Sequence, residues 1–388
     1  MASWQRITGV AGLAAGAAAA GAGAILAAER VAVGHVRAIR GAAEPQPRPL
    51  GSLRGRVLTV LADDGVPLHV EIDEPDAVDG PPDAVAPPGA PVTIIFCHGY
   101  TLNQDSWHFQ RLGLGGSDLG GSDLDGSDLD AYRLVFWDLR DHGRSGRSPG
   151  GPASIARLAA DLDLVIKAVA PGDMPVVLVG HSMGGMTIMA LAGRNPELFG
   201  PKVIGAVLVS TAAGGLDAGS PWMPGPLRLV LQRTLPLVLR GAATGYRAIL
   251  VERGRRVSSE LAFLSTRYIG FGDPAVNPAV VDFLEQMILS TPINVVAEYS
   301  QALYEWDMRD TLPILGRVPV TVLVGERDRL ISPALGLEVA AQIPGADLVW
   351  VPGAGHALIL ERPDLVNESI TALVARATEG PVARERSA

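Results

Sequence analysis

The feature that most constrains this chain is a serine held between two glycines at the end of an apolar run. The run Val176 to Val179 stops at Gly180, and a helix-compatible run, Met186 to Ala192, follows. Between them stands the pattern G-x-S-x-G, here Gly180-His181-Ser182-Met183-Gly184. The pattern predicts a strained strand-to-helix turn that lifts the serine above a sheet edge, with glycine needed on both sides.

Apolar runs and helical runs alternate along most of the chain, which predicts a mostly parallel α/β sheet with helices on both faces. The predicted strands are Val57 to Leu61, Leu68 to Ile72, Val92 to Phe96, Arg133 to Trp137, Val203 to Ser210, Val318 to Val324 and Asp347 to Val351. Helices are predicted at Gln104 to Leu112, Ala153 to Val169, from Pro333 onward, and near Asp364 to Arg376. The first two strands surround Asp63-Asp64-Gly65, a hairpin signal.

The alternation stops between Gly214 and about Tyr304, where helical runs at Leu227 to Arg240 and Ala279 to Leu289 are broken by Pro and Gly. We interpret residues 214–304 as an inserted helical cap on a core made of residues 51–213 and 305–378. Residues 113–130 contain the sequence Gly-Ser-Asp-Leu three times and are predicted to be a solvated low-complexity insertion. Residues 379–388 are predicted to be a polar tail.

Residues 1–50 are predicted to form a hydrophobic segment and a linker. Ile7 to Ala28 are 22 consecutive uncharged residues, about 33 Å as a helix, which is close to the thickness of a bilayer core. A membrane anchor is the first interpretation, a cleaved signal peptide of a secreted protein the second, and a flexible leader of a cytoplasmic protein the third. Arginines after the run outnumber those before it, which favours a cytoplasmic location for the folded part.

Composition excludes several classes of function. The net charge is −9 and no long basic run is present, which disfavours nucleic-acid binding. Cys97 is the single cysteine, so neither an intrachain disulfide nor a cysteine-based zinc site can form. The seven histidines lack metal-ligand spacing, so we expect no metal and no other cofactor. The oligomeric state is left open.

Two further residues complete a possible nucleophilic site with Ser182. Asp328 follows one predicted strand and His356 lies in a Gly-rich loop after the next, and carboxyl ends of parallel strands meet at one sheet edge. A serine needs a base, and the base needs a third group that holds its tautomer. Glu326 and Asp138 also follow strands and compete with Asp328 as the acid.

The loop after the strand Val92 to Phe96 is predicted to supply part of an oxyanion hole. His98-Gly99 makes a tight turn that would aim the N–H of Tyr100 at the site, and the N–H of Met183 would be the second donor. The tyrosine ring itself has a simpler interpretation, as part of a pocket lining.

The chain resembles the α/β-hydrolase superfamily, and within it the cap-bearing branch of esterases, monoacylglycerol lipases, epoxide hydrolases and cofactor-free haloperoxidases. The matching motifs are His98-Gly99-Tyr100 with Trp107, Asp138-Leu-Arg-Asp-His-Gly-Arg-Ser145, Gly180-His-Ser-Met-Gly-Gly185, Gly325-Glu-Arg-Asp328 and Gly355-His356. The resemblance covers residues 53 to 377 approximately. Asp141 departs from the branch, which usually has glycine there, and a change in that loop's turn is expected.

The resemblance implies a serine esterase or lipase-like hydrolase that acts on a small-molecule ester with a small or medium apolar acyl group. Ser182 would be the nucleophile, His356 the base and Asp328 the orienting acid, in the chain order of this fold. A lactonase, a carbon–carbon bond hydrolase or a perhydrolase-type haloperoxidase would use the same residues. A protein of another class, a non-catalytic binding protein on the same scaffold, is the remaining alternative.

The apolar N-terminal run predicts membrane association of the full chain. Removal of residues 1–40 is expected to give a soluble, folded protein, whereas the complete chain should sediment with membranes, because only the complete chain carries the 22-residue run. Fractionation of cells that express the two forms measures this. Uncleaved full-length protein found wholly in the soluble fraction would contradict the anchor.

Overall fold

The structure is a computed structural model that describes residue 46 and residues 48–75, 92–115, 132–150, 152–216 and 259–379. Four predictions lie outside these residues: the apolar run at 7–28, the Gly-Ser-Asp-Leu repeats, the helical run at 227–240 and nearly all of the tail. They stay predictions.

The described residues form one eight-stranded sheet with the strand order β1-β2-β4-β3-β5-β6-β7-β8. The strands are β1 (Arg56–Leu61), β2 (Pro67–Asp73), β3 (Val92–Cys97), β4 (Tyr132–Trp137), β5 (Val176–His181), β6 (Val203–Val209), β7 (Val320–Gly325) and β8 (Asp347–Val351). β1 pairs antiparallel with β2, and β2 with β4, while every other pairing is parallel. The predicted mostly parallel sheet and the predicted N-terminal hairpin are both confirmed.

Ten α-helices lie within the described ranges, on both faces of the sheet. They are α1 (His108–Leu114), α2 (Ile155–Val169), α3 (Met183–Arg194), α4 (Ser259–Gly270), α5 (Pro278–Ser290), α6 (Ile293–Tyr304), α7 (Leu312–Leu315), α8 (Pro333–Gln342), α9 (Leu358–Glu361) and α10 (Pro363–Thr378). A short 3-10 helix, Gln104–Trp107, precedes α1. The helices predicted from sequence in these ranges are therefore present, with bounds that differ by a few residues.

Alternate residues of the central strands enter two separate apolar clusters, one on each face of the sheet. On β3, Ile94 and Phe96 belong to one cluster, and Ile95 and Cys97 to the other. The first cluster includes residues of α1 and α10, and the second includes residues of α2 and α3. This alternation follows from the two-residue period of a strand, and it explains why the runs in β3 and β5 are apolar at nearly every position.

Helices α4, α5 and α6 lie between β6 and β7 in the chain, and we call the described residues 259–304 the insert. Just outside the insert, the chain after α6 returns to the chain after β6. There the indole N–H of Trp306 donates to the carbonyl of Ala212 at 2.9 Å, and the N–H of Met308 donates to that of Ala213 at 2.7 Å. The domain bounds, and the role of the insert as a cap, stay predictions.

Among the helices of the described ranges, no single one is both long and apolar enough to cross a bilayer. Helices α5 and α6 reach that length and hydropathy only when taken together, and they are bent by 93° relative to each other.

Candidate active site

Ser182 occupies a strained turn between β5 and α3, as the sequence predicts. Its backbone has φ 52° and ψ −116°, a left-handed conformation that is uncommon for residues other than glycine. A Cβ at Gly184 would lie 1.9 Å from the carbonyl oxygen of Cys97, and one at Gly180 would lie 2.6 Å from the backbone of Gly184. Glycine is therefore required on both sides of the serine.

Hydrogen bonds from neighbouring strands hold this turn in place. The N–H of Ser182 donates to the carbonyl of Val209, at the end of β6, at 2.9 Å. The hydroxyl of Thr211 donates to the Ser182 carbonyl at 2.8 Å. Ser182 is buried, and α3 begins at Met183 directly after it. The first N–H groups of that helix have no intrahelical acceptor and lie next to the serine.

His356 and Asp328 meet at the same edge of the sheet. Nδ1 of His356 lies 2.8 Å from Oδ2 of Asp328, and because a carboxylate only accepts, the ring nitrogen donates. The other carboxylate oxygen accepts the N–H groups of Leu330 and Ile331, both at 2.8 Å. The aspartate is thus fixed by three hydrogen bonds, and Nε2 is left as the acceptor nitrogen of the imidazole.

The two competing acids bind backbone N–H groups elsewhere. Glu326 accepts the N–H of Gly353 at 2.8 Å. Asp138 accepts the N–H groups of Gln104 and Arg144, each at 2.7 Å. Burial raises the pKa of Asp138 to about 6, and its strand, β4, is separated from β5 by β3. The geometry therefore favours Asp328 as the partner of the histidine.

The loop after β3 packs against Ser182. A Cβ at Gly99 would lie 3.3 Å from the serine Cβ. The ring of His98 fastens this loop to the loop after β4, because Nδ1 donates to the Gly99 carbonyl at 2.8 Å and Nε2 accepts the Leu139 N–H at 3.0 Å. Burial lowers the pKa of His98 well below its usual value, so the ring is neutral and can accept. The oxyanion-hole role of the Tyr100 and Met183 N–H groups stays a prediction.

The Tyr100 side chain reaches the insert. Its hydroxyl donates to the carbonyl of Val296 in α6. Nearby, the hydroxyl of Thr291 donates to the carbonyl of Thr101 at 2.9 Å. The predicted oxyanion loop is thus tied to the insert by two hydrogen bonds, a connection that the sequence pattern did not indicate.

Asp141 stands where the resembled branch usually has glycine, and its backbone is left-handed. Its φ is 69°, a conformation that Asp tolerates better than most residues. Its carboxylate accepts the N–H of Ser148 at 2.7 Å, the hydroxyl of the same serine at 2.9 Å, and the Tyr299 hydroxyl at 3.2 Å. The departure adds a link from the β4 loop to α6.

His181, which directly precedes Ser182, contacts the candidate base His356. Sequence reasoning missed this contact. Its Nε2 donates to the His356 carbonyl at 3.0 Å, and the two ring centroids are 5.0 Å apart. Burial lowers the pKa of His181 to about 3, which keeps this ring neutral. Only its place beside Ser182 could have drawn attention to it.

In the described part of the chain, no cluster of His, Cys, Asp or Glu could hold a metal ion.

Comparison with known proteins identifies relatives. Residues 94–369 match a family model described as the alpha/beta hydrolase family. A pimeloyl-[acyl-carrier protein] methyl ester esterase from Xanthomonas axonopodis pv. citri (strain 306) is 29% identical over 248 residues, which are 63% of this chain and 85% of the relative.

Solved structures show the same fold. A thermophilic esterase from Thermogutta terrifontis has a TM-score of 0.60 at 24% identity, covering 83% of this chain and 99% of that chain. The enol-lactonase from Burkholderia xenovorans LB400 has a TM-score of 0.59 at 22% identity, covering 82% of this chain and 100% of that chain. At these identities the structures are evidence for the fold and not for a substrate.

The buried histidines predict a loss of stability in mild acid. Burial lowers the pKa of His142 to about 4, that of His181 to about 3, and that of His98 well below its usual value. In the unfolded chain each protonates near pH 6.5, so below about pH 6.5 the unfolded state binds more protons. The free energy of unfolding should fall as pH drops, by up to about 1.4 kcal/mol per pH unit for each histidine.

Urea unfolding at a series of pH values measures this loss. In His142→Asn the amide can replace the 3.0 Å hydrogen bond from Nδ1 to the Arg140 carbonyl. Between about pH 6 and about pH 5, the free energy of unfolding of the variant should depend less steeply on pH, because unfolding takes up about one proton fewer. Equal slopes for the variant and the unsubstituted protein would contradict the assignment of His142 as neutral in the folded state.

Proposed function

Because this chain belongs to the alpha/beta hydrolase family, we propose that it is a serine hydrolase that cleaves carboxylic esters with an apolar acyl chain. It is a hydrolase of the esterase type by its family and relatives. The proposal adds the residues that perform the reaction and the class of ester.

The proposed reaction has two halves. Oγ of Ser182 attacks the ester carbonyl while Nε2 of His356 accepts the hydroxyl proton. The N–H groups of Tyr100 and Met183 stabilise the oxyanion, and Asp328 stabilises the imidazolium that forms. The imidazolium then protonates the departing alkoxide. A water molecule, activated by the same histidine, releases the acid and restores the serine.

The observation that carries this proposal is the Asp328–His356 pair beyond the ends of β7 and β8. Its 2.8 Å hydrogen bond selects the tautomer in which Nε2 accepts a proton. The His356 carbonyl accepts the Nε2–H of His181 at 3.0 Å, and His181 directly precedes the serine, whose strained backbone lies at the end of β5. A backbone strained at one residue is typical of a functional position, since other residues must hold it there.

The apolar acyl chain is proposed from the apolar character of the segments that lead from the elbow to the insert. Met183, Ala212 and Val295 are buried in the same apolar cluster, with Tyr100 packed against it. These residues come from the elbow, the chain after β6, helix α6 and the β3 loop. The relative from Xanthomonas is named for a methyl ester of an acyl group, which agrees with an ester whose acyl part is aliphatic.

Replacement of the proposed nucleophile should abolish hydrolysis. Ser182→Ala is expected to reduce turnover of p-nitrophenyl butyrate by about 10⁶-fold, as typical for a serine nucleophile, with little change in the melting temperature. A panel of p-nitrophenyl esters with graded acyl lengths and a set of lactones should then define the preferred substrate. A purified variant that keeps a substantial fraction of the activity would exclude Ser182 as the nucleophile.

The proposed acid can be separated from its two competitors. Asp328→Asn should lower turnover by about 10⁴-fold because the amide favours the wrong tautomer of the histidine. Glu326→Gln and Asp138→Asn should cost far less per active site, since both carboxylates bind backbone N–H groups. Turnover is expressed per active site, and the concentration of active sites is obtained by titration with a fluorophosphonate. Near-normal turnover in Asp328→Asn, with a large loss in either other variant, would refute the assignment.

A further inference from the structure

Glu361 is a buried carboxylate outside the proposed reacting groups. It ends α9, five residues after His356, and is 8% exposed. Its Oε2 accepts the N–H of Gly355 at 2.7 Å, next to the histidine. Its Oε1 accepts the N–H groups of Gly272 at 3.0 Å and Asp273 at 2.6 Å, which belong to the insert. One side chain therefore joins two segments that are more than 80 residues apart.

The two segments also touch backbone to backbone. The N–H of Ala357 donates to the carbonyl of Gly270 at 2.8 Å. A Cβ at Gly272 would lie 2.3 Å from the carbonyl oxygen of Gly353, and one at Gly355 would lie 2.5 Å from the Gly272 nitrogen. The residues on either side of His356 are thus both held by the insert, one directly and one through Glu361.

The loop that carries Asp328 is attached to the same part of the insert. Nη1 of Arg327 donates to the Gly272 carbonyl at 3.2 Å, and its backbone N–H donates to the Ala354 carbonyl at 2.8 Å. Nη1 of Arg329 donates to the Phe271 carbonyl at 3.0 Å. Residues 270–273 are consequently wedged against both loops that supply the proposed base and acid.

We propose that Glu361 is a positioning residue that fixes the direction of the His356 imidazole by locking the loop around it onto residues 270–273 of the insert. This inference rests on the proposed function. The carboxylate touches no reacting atom; it acts through the Gly355 peptide. The base is then positioned jointly by the sheet, through Asp328 and His181, and by the insert, through Glu361.

Accurate placement matters twice in acylation, since the imidazole removes a proton from Ser182 and then donates one to the leaving group. A shift of about 1 Å can cost roughly 10²-fold in rate. The second proton transfer depends on the ester. A p-nitrophenolate leaves without protonation, whereas the alkoxide of an ethyl ester must be protonated as it departs. A misdirected imidazole should therefore slow the ethyl ester more than the p-nitrophenyl ester.

The test is Glu361→Gln, assayed with p-nitrophenyl butyrate and ethyl butyrate. The amide keeps one acceptor oxygen and turns an NH₂ group toward backbone N–H donors, so either Gly355 or the insert loses its bond. Per titrated site, kcat for p-nitrophenyl butyrate should fall about 10-fold to 100-fold with KM changed less than about 3-fold. The loss of kcat/KM, which reports the acylation half where the leaving group departs, should be about 10-fold larger for ethyl butyrate.

Glu368→Gln is the matched control. Glu368 lies exposed on α10, one helix further along the chain, and its replacement should leave kcat and KM unchanged for both esters. If Glu361→Gln does not fold, Gly272→Ala decides instead. Its Cβ would force the two segments apart while Glu361 is kept, and the same larger loss for the ethyl ester is expected.

Three outcomes would overturn the inference. Unchanged kcat in Glu361→Gln, or an equal loss of kcat/KM for the two esters, would reduce Glu361 to a structural role. If the unsubstituted protein shows no ester hydrolysis that depends on Ser182, both the proposed function and this inference are overturned. The two failures are distinguishable, because the first two leave Ser182-dependent hydrolysis intact in the unsubstituted protein.

Discussion

The close approach of α3 to the end of β3 is the constraint on which the rest of the site depends. Gly184 lies so near the Cys97 carbonyl that a Cβ would overlap it, and Ser182, which precedes this contact by two residues, has a left-handed backbone. The strain of such a residue costs about 1–3 kcal/mol. The bonds to Val209 and from Thr211 offset it. The pairing of β3, β5 and β6 therefore sets the position of the serine before any loop is considered.

Buried carboxylates organise the loops at this edge. Asp138, Asp328 and Glu361 each accept two or more backbone N–H groups, and Asp141 accepts one together with two hydroxyl groups. Loops have no neighbouring strand to satisfy their N–H groups, and a buried N–H without an acceptor is costly. A carboxylate can accept several at once, so a few acidic side chains determine the course of several loops.

Sequence patterns predicted the sheet and the Ser182, Asp328 and His356 positions because these depend on local periodicity and on the shared edge of parallel strands. Only strand order and hydrogen bonds favour Asp328 over Glu326 and Asp138 as the partner of His356. The link from Glu361 to residues 272 and 273 was not predicted, since nothing in a local pattern indicates which distant N–H groups a buried carboxylate meets. The same holds for the bonds from Asp141 and Tyr100 to α6.

The core is hydrogen-bonded to the insert through the side chains of Tyr100, Asp141, Arg327, Arg329 and Glu361. Just after the insert, the indole of Trp306 also donates to the Ala212 carbonyl. Such an insert is a poor unit for exchange between relatives. A chimaera that received only residues 259–304 from another protein would lose the partners of these side chains and misplace four loops, those after β3, β4, β7 and β8. Engineers who wish to alter substrate range by transplantation would need to transfer those loops together with the helices, or else confine changes to side chains that face the serine.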